Sequence, residues 1–583
     1  LNNEGDTQGR APFVFLTMSD GLKKSLVIQG SILAMAGLIS KVIGFLYRIP
    51  MANILGNEGN GLYSVSFGIY NIALTLSSYS MPLAVSKLVS ARIARGKYKN
   101  SHRIFNIAIL FSLTTGLIAW MALFWGSKFL AEVYQKPGLE YPLRILAPTT
   151  FVVALLGTCR GFFQGHRNMV PTAISQVIEQ IVNAIVSIVA AASFVKAIGE
   201  IEATQPGLSV FLYDPDTMSV AAAGATGGTL GTFMGALVAL ILFVLLFFMN
   251  DKQIKKEASG DDLPDEEKRL LWKALIVTVF PIIISQSVYQ LGYTLDDLIF
   301  GNIVVKVQQI SQEETTVMQG IFNTQYNQMI NLPAAIATAM ASATIPTIVA
   351  AFSKKDTVEL KRKTDQVFKF TLLIALPSAI GLAVMAEPVM QTLFPRLGDK
   401  MDMAVLLLQT GSSAVVFYTM STISSSVLQG CDRMWTPVFH AAVSLNIHVI
   451  LLIALLCATD MNVMALIIGN VTFPLITSVM NMVSLRKRAG YSLDWKKTFI
   501  LPGLAAVVMG AVTFGILCML KALGTANIIQ LVVPIIIAVP VYAAMVFALK
   551  AVSLEEAGSL PLIGKFIKRI LRLFDRKKGK NKR

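Results

Sequence analysis

The run NIIQLVVPIIIAVPVYAAMVFAL, residues 527–549, carries no charged side chain over 23 consecutive positions. A helix needs about 20 apolar residues to cross the hydrocarbon core of a bilayer. GALVALILFVLLFFM (235–249) and FVVALLGTC (151–159) read in the same way. Such runs leave few options, because in lipid every backbone N–H and C=O must be paired internally, which only helices and closed barrels achieve. A barrel would alternate apolar and polar residues in short segments, and these runs do not alternate. Charged residues make up only 14% of the 583, against about 25% in an average soluble chain. The sequence therefore predicts an all-α polytopic membrane protein.

Fourteen candidate transmembrane helices follow, near 25–49, 61–86, 103–126, 141–163, 170–195, 219–249, 271–300, 318–350, 366–390, 404–428, 436–458, 461–484, 499–521 and 526–550. An even number places both termini on one side, and basic residues mark the cytoplasmic loops. One set of loops holds Arg92, Arg95, Lys97, Lys99, Arg103, Arg167, Lys252, Lys255, Lys256, Lys268, Arg269, Lys354, Lys355, Lys361, Arg362, Lys363, Arg433, Arg486, Lys487, Arg488, Lys496 and Lys497. The opposite set holds only Lys128, Lys136, Lys196, Lys306, Arg396, Lys400 and Lys521. Both termini are therefore expected in the cytoplasm. The net charge of +16 sits in these loops and in the tail GKFIKRILRLFDRKKGKNKR, which is expected to lie on the anionic inner leaflet. No nucleic-acid partner is expected. Residues 1–20 lack a signal-peptide pattern and are expected to have no structural role.

One corner is written twice. RGFFQGHRNMVPTA (160–173) is echoed by LQGCDRMWTPVF (428–439), each with Gln-Gly, a basic residue, Met and Pro. NILGN (53–57) follows the first span and LIFGN (298–302) closes the seventh. SMPLAVSKLVSARIARGKYKN (80–100) and LPAAIATAMASATIPTIVAAFSKKD (332–356) end the second and eighth spans in basic loops. Each match pairs span n with span n+6, so the halves share one orientation as parallel repeats. The expected organisation is a cytoplasmic segment 1–24, a six-helix bundle 25–249, a cytoplasmic linker 250–270, a second bundle 271–485, two extra helices 486–550 and a basic cytoplasmic tail 551–583. In the corner, Gly165 is expected to permit the tight turn and Pro171 to start the next helix.

The chain carries no Walker A, HExxH or GxSxG pattern, and its loops outside the membrane are short, which argues against an enzyme and for secondary or potential-driven transport. Cys159, Cys431, Cys457 and Cys518 show no metal or redox spacing and read as small hydrophobes. His440 and His448 share a face with Ser444, where polar packing between helices is expected. No metal and no cofactor are expected.

Polar residues inside spans carry the functional reading, because burying them in lipid is expensive. Lys41 and Arg48 lie on one face of the first span with Gly44 between them, facing a wet cavity or an anion, or else snorkelling to headgroups. The fifth span carries Gln176, Glu179, Gln180 and Asn183. The seventh carries Gln286, Gln290, Tyr293 and Asp297 on one face, and the eighth Asn323, Asn327 and Asn331 at four-residue spacing. Interhelical hydrogen bonding explains any one stripe; several together read as the wall of an aqueous passage. Arg144 and Arg160 on the fourth span add positive charge, or Arg160 marks the cytoplasmic boundary. Gly224, Gly228, Gly231 and Gly235 on the sixth read as close packing or as a bending site.

RGFFQGHRNMVPTAISQVIEQIV (160–182) closely resembles a signature of the polysaccharide-biosynthesis branch of the multidrug/oligosaccharidyl-lipid/polysaccharide exporter superfamily. ISKVIGFLYRIP (39–50) and MPLAVSKLVSARIARGKY (81–98) resemble the same branch, nearest the MurJ (YtgP) and stage V sporulation protein B group. The resemblance spans essentially all fourteen segments. It implies two six-helix bundles around a central cavity and two C-terminal helices bordering a lipid-facing groove. It implies alternating-access flipping of an undecaprenyl-pyrophosphate-linked saccharide, above all the peptidoglycan precursor lipid II, across the bacterial cytoplasmic membrane. The implied partners are that substrate, bilayer lipids and cell-wall synthesis enzymes; the chain is expected to be a monomer, with the membrane potential helping to drive the cycle. Lys41 and Arg48 match the family's basic pair on the first span, with spacing after Gly44 one residue different from Gram-negative members. Those members also carry an Arg on the eighth span, and none stands there here. The alternatives are a flippase for another lipid-linked polysaccharide or sporulation precursor, a multidrug cation antiporter of the same superfamily, and a non-transporting scaffold.

Overall fold

The computed structural model describes residues 26–204, 218–259, 266–335, 348–349, 351–352, 354 and 356–552. The N-terminal segment, most of the basic tail and the middle of the eighth span lie outside the described residues. Within them the chain is all-helical. In order come α1 (Leu26–Ser77), α2 (Met81–Ile93), α3 (Tyr98–Val133), α4 (Glu140–Gly165), α5 (Val170–Thr204), α6 (Val220–Ser259), α7 (Lys268–Lys306) and α8 (Gln312–Gly320), which runs into a π-helical turn at Ile321–Tyr326. Then follow α9 (Thr357–Val384), α10 (Ala386–Leu393), α11 (Met401–Gly411), α12 (Ala414–Gly430), α13 (Trp435–Ala458), α14 (Val463–Ala489), α15 (Leu501–Ala522) and α16 (Asn527–Ala548).

Ten of the described helices are long and apolar enough to cross a membrane, or eleven if the bent pair Pro395–Gly411 and Ala414–Gly430 forms one span. Among the described residues the count of fourteen is not reached. The first two expected spans fall in one continuous apolar stretch, Ile32–Ile93. Among the described residues α7 and the described part of the eighth span are not among the ten.

α1 is two helical legs joined at Gly56, whose φ of 68° and ψ of −177° suit only glycine. A break inside apolar surroundings strands carbonyl oxygens. Asn60 repairs it: its Nδ2 donates to the Ala52 carbonyl at 2.8 Å and the Gly56 carbonyl at 2.6 Å. The matching piece LIFGN behaves differently. Gly301 stays helical and α7 continues to Lys306, so LIFGN does not close that helix. A Cβ on Gly301 would lie 3.2 Å from the Tyr134 carbonyl oxygen, so this glycine serves close approach. The two pieces share sequence and not backbone.

The repeated corner does share backbone. Arg167 and Asp432, three residues after each Gln, both sit in the left-handed region at φ 57°. Arg167 N–H donates to the Gln164 carbonyl and Asn168 N–H to that of Phe163, at 2.9 and 3.1 Å. Asp432 and Arg433 repeat the pattern onto Gln429 and Leu428, at 3.1 and 3.0 Å. This is the Schellman closure, which satisfies the last carbonyls of a helix. Gly165 is therefore not the turn residue. A Cβ there would stand 2.6 Å from Val89 Cβ; the glycine lets α2 and α4 touch. Pro171 stands in the first turn of α5 as expected.

The glycine face of α6 does the same on a larger scale. A Cβ at Gly227 would lie 2.6 Å from the Ala190 carbonyl oxygen, at Gly231 2.5 Å from the Asn183 carbonyl oxygen, and at Gly235 2.6 Å from that of Glu179. Of the neighbouring glycines, Gly224 sits between α5 and α1, where a Cβ would meet Val195 at 2.9 Å and Leu55 at 3.0 Å, and Gly228 faces α1, where it would meet Met51 and Tyr63. Backbone-to-backbone packing of this kind holds helices together where lipid removes the hydrophobic drive.

The expected linker is partly helix, since α6 runs on to Ser259. Just before α7, Glu266 accepts from Arg92 at 2.7 Å and Lys97 at 3.4 Å, and its N–H donates to Asn100 Oδ1 at 2.8 Å. Burial pushes this carboxyl up, but Arg92 and Lys97 outweigh it and hold it below its usual range. The chain divides into two compact units. One ends at Thr324 and takes in Val449–Val463; the other comprises Gln325–His448 and the chain from Met464.

Gly231→Ala should lower stability by about 1–3 kcal/mol, the range for overpacking a full core, because besides the Ser187 hydroxyl it meets the backbone of Asn183 and Ser187, which cannot rotate away. Gly515→Ala, with nothing within 4 Å, should be neutral. Thermal unfolding in detergent of both variants checks this.

Candidate functional site

In the first unit the site starts where α1 meets α5. Gly44 presents no side chain, and Gln180 Oε1 comes to 3.5 Å from where its Cβ would be. One residue group further on, Tyr47 is buried and its hydroxyl accepts from Asn183 Nδ2 at 3.3 Å. Asn183 Oδ1 in turn accepts from Ser187 at 3.0 Å and Thr232 at 3.4 Å. Asn183 thus ties α1, α5 and α6 together and is a packing residue. Lys41 and Arg48 bracket Gly44 on the same stripe, seven residues or about 10 Å apart, and both are exposed. Among the described residues neither makes an ion pair.

The other arginines are engaged. Arg160 Nη2 donates to Glu179 Oε2 at 2.6 Å, and its Nε donates to Ser175 at 3.1 Å. This pair is largely buried, with side chains 13% and 23% exposed. It joins the ends of α4 and α5 on either side of the corner, and Glu179 cancels the charge of Arg160. Arg144 donates to Ser127 Oγ at 3.3 Å and its guanidinium lies 6.0 Å from the centre of the Tyr141 ring, so it braces α3 against α4. Gln176 and Gln180 remain half-buried, and Gln176 Oε1 is a buried acceptor without a partner.

The α7 stripe runs from exposed to buried. Gln286 is exposed, Gln290 is half-buried and Asp297 is buried; the side chain of Tyr293 lies outside the described residues. Asp297 Oδ1 accepts from Asn323 Nδ2 at 2.8 Å and from Gln319 Nε2 at 3.3 Å. The three asparagines at four-residue spacing therefore part company. Asn323 serves Asp297. In the second unit Asn327 accepts from Asn470 at 3.1 Å, and Asn331 is exposed. Also in the second unit, His440 sits in a polar knot: its Nδ1 is 2.7 Å from Asn481 Oδ1, and Asn481 Nδ2 donates to Ser424 and Ser425 at 3.1 and 3.0 Å. Because the Asn481 amide nitrogen is spent on serines, its oxygen accepts, which assigns the proton of neutral His440 to Nδ1.

The stripes therefore sort into two kinds. Arg160 with Glu179 and Asp297 with Asn323 satisfy one another, and Asn183, Arg144 and Asn327 are held by neighbours outside the stripes. Lys41, Arg48, Gln176, Gln180, Gln286, Gln290 and Asn331 keep polar atoms toward open or half-open surroundings. Tyr47, Ser175 and Gln319, each bonded to a stripe residue, carry no polar periodicity of their own, and only tertiary contact reveals them. All four cysteines are free thiols, as their spacing implies.

The model of the polysaccharide biosynthesis protein family matches residues 26–352. The chain is 25% identical over 510 residues to the lipid II flippase MurJ of Bacillus subtilis, covering 83% of this chain and 87% of that one. It is 23% identical over 548 residues to stage V sporulation protein B of the same organism, covering 94% of this chain and 100% of that one. Among solved structures it is similar to a lipid II flippase MurJ in an inward closed conformation, with TM-score 0.62 and 14% identity over 88% of this chain and 98% of that one. An inward-facing multidrug MATE transporter gives TM-score 0.61 and 15% identity over 80% of this chain and 98% of that one. A family model that takes in α1 to α8 and the repeated corner's first copy leaves one conclusion: this multi-pass, all-helical chain belongs to the polysaccharide biosynthesis protein family.

Proposed function

We propose that the protein flips an undecaprenyl-pyrophosphate-linked saccharide, lipid II above all, from the inner to the outer leaflet of the bacterial cytoplasmic membrane by alternating access. The observation that carries the reading is the pair Lys41 and Arg48. They stand on one stripe of α1, exposed and without a carboxylate partner among the described residues, while Arg160 on α4 is matched by Glu179. Two uncompensated cations inside a spanning helix call for an anion, and a pyrophosphate supplies one. Its headgroup cannot cross hydrocarbon unaided, because each unpaired polar group costs several kcal/mol. Gln180 comes against Gly44 in the stripe, with Gln176 about one turn before it on α5, and both offer amides suited to sugar hydroxyls. The prenyl tail stays in lipid throughout.

No nucleotide site or cofactor enters this mechanism. Moving one net charge across the membrane exchanges about 2.3 kcal/mol per 100 mV, so the membrane potential can bias the cycle. The relatives support the lipid-linked class: one is a lipid II flippase by name and another a sporulation protein. A cation antiporter of the MATE type would need free acids where this chain has Lys41 and Arg48, and Glu179 is occupied by Arg160.

Lys41→Ala and Arg48→Ala should each lower delivery of labelled lipid II to the outer leaflet by about tenfold or more in a strain depleted of its own flippase, with membrane insertion unchanged. Wild-type delivery in both would remove the anion-site assignment; rescue of a different lipid-linked saccharide instead would reassign the substrate. Glu179→Gln should act differently. It leaves Arg160 short of its charged partner, and thermal unfolding should show a loss of about 1.5–3 kcal/mol, the range for a hydrogen bond between charged groups.

A further inference from the structure

At the end of the first unit that the loop charges assign to the outside, a lysine expected in an exposed loop is buried. α3 ends in its own Schellman turn. Gln135 is left-handed at φ 55°, its N–H donates to the Glu132 carbonyl at 3.1 Å, and Lys136 N–H reaches back to the Ala131 carbonyl at 2.9 Å. The turn swings Lys136 inward until it is 1% exposed. Its ammonium donates to Thr316 Oγ1 at 2.9 Å, and that hydroxyl donates onward to the Gln312 carbonyl at 2.6 Å. A single neutral oxygen compensates poorly for a buried ammonium.

Thr316 is also where α8 touches α1. A Cβ on Gly61 would stand 2.8 Å from the Thr316 carbonyl carbon, and one on Gly320 would stand 2.6 Å from the Asn57 carbonyl oxygen. The surrounding contacts are polar: Gln319 Nε2 donates to the Asp297 carbonyl at 2.8 Å, Gln312 Nε2 donates to Gln135 Oε1 at 3.2 Å, and Asn302 Nδ2 donates to the Val133 carbonyl at 2.9 Å. Gln319 Oε1 and Asn60 Oδ1 are buried acceptors without partners. These are polar groups that water can satisfy when the seam opens. The charged groups that face Lys136 are Asp297 on α7, with Asp296 beside it, and Glu58 on α1. Glu313 of α8 acts on Glu58, and Tyr134 stands on the lysine's own turn and faces Asp297.

We propose that Lys136 is an exchangeable-proton site: it releases a proton when α8 seats against α1 and takes one up when α8 lifts away. The seam would thereby read the acidity of the outer compartment, whatever substrate the chain carries. Burial pulls the Lys136 ammonium from 10.5 down to about 7, against the opposing pull of Asp297 and then Glu58. In the lifted state the ammonium is hydrated and returns toward its ordinary value. Below about pH 7 both states are charged and the burial penalty on seating is complete. Between about 7 and 10.5 the seated form loses its proton first, so seating strengthens as pH rises and weakens as it falls.

The test uses the full chain in lipid nanodiscs, its native cysteines replaced, with spin labels on Lys128→Cys of α3 and Glu314→Cys of α8, both exposed positions. Electron–electron distances are read at about pH 7 and about pH 9. One exchanged proton changes the lifted-to-seated ratio by up to tenfold per pH unit inside the window, so the ratio should rise at least about tenfold from pH 9 to pH 7. Lys136→Met should stay seated at both values, and Lys136→Arg should favour the lifted form at both. A wild-type distribution that ignores pH overturns the proposal, as does an undiminished pH response in either variant. If Lys136→Met does not fold, the response of Lys136→Arg decides alone.

Discussion

Inside a bilayer an unpaired carbonyl has no water to turn to, and helix ends and breaks in this chain close their carbonyls accordingly. The break at Gly56 is closed by the Asn60 amide. The two copies of the Gln-Gly corner end their helices with the same pair of reaching-back N–H groups. The α3 turn uses that closure again and in doing so carries Lys136 inward. Departures from straight helix are thus sites where a side chain or a left-handed residue stands in for the missing backbone partner.

The second constraint is that helices in lipid attract one another weakly unless their backbones come close. Glycine makes the closeness. The α6 glycines admit α5 and α1, Gly165 admits α2 to α4, and Gly61 with Gly320 admits α8 to α1. Close backbones bring polar side chains within reach, and Arg160 then pairs with Glu179 and Asp297 with Asn323, while Asn183, Arg144 and Asn327 find partners outside the stripes. Charge matching follows the same division. Arg160 and Glu179 neutralise one another at a helix junction, whereas Lys41 and Arg48 lie exposed on their helix with no carboxylate partner among the described residues. The proposed anion site is what remains after the structural polar groups have been paired off.

Much of this was readable in the residues. Apolar block length set the class, and the corner repeat set two equivalent turns that the backbone reproduces at Arg167 and Asp432. The polar stripes were visible as periodicity, but periodicity cannot tell a polar residue that faces a cavity from one that faces another helix. Asn183 and Asn327 therefore read as lining and turn out to be buried ties, while Asn331, on the same stripe as Asn327, is exposed. LIFGN looked like a helix end because it matched NILGN, yet only Gly56 takes the left-handed backbone; Gly301 is glycine for the sake of Tyr134.

Composition and block length alone determined that this chain is helical and lives in lipid, because the transfer of apolar surface and the need to pair every backbone group depend only on local sequence. The resemblance of 160–182 to a family signature determined its lineage on the same local basis. Which charges are spent and which are free was decided by tertiary structure. The ion pair between α4 and α5 depends on how the corner sets the two helices against each other, and the lysine turned inward onto Thr316 of α8 depends on a contact between segments 180 residues apart; helical periodicity encodes neither distance.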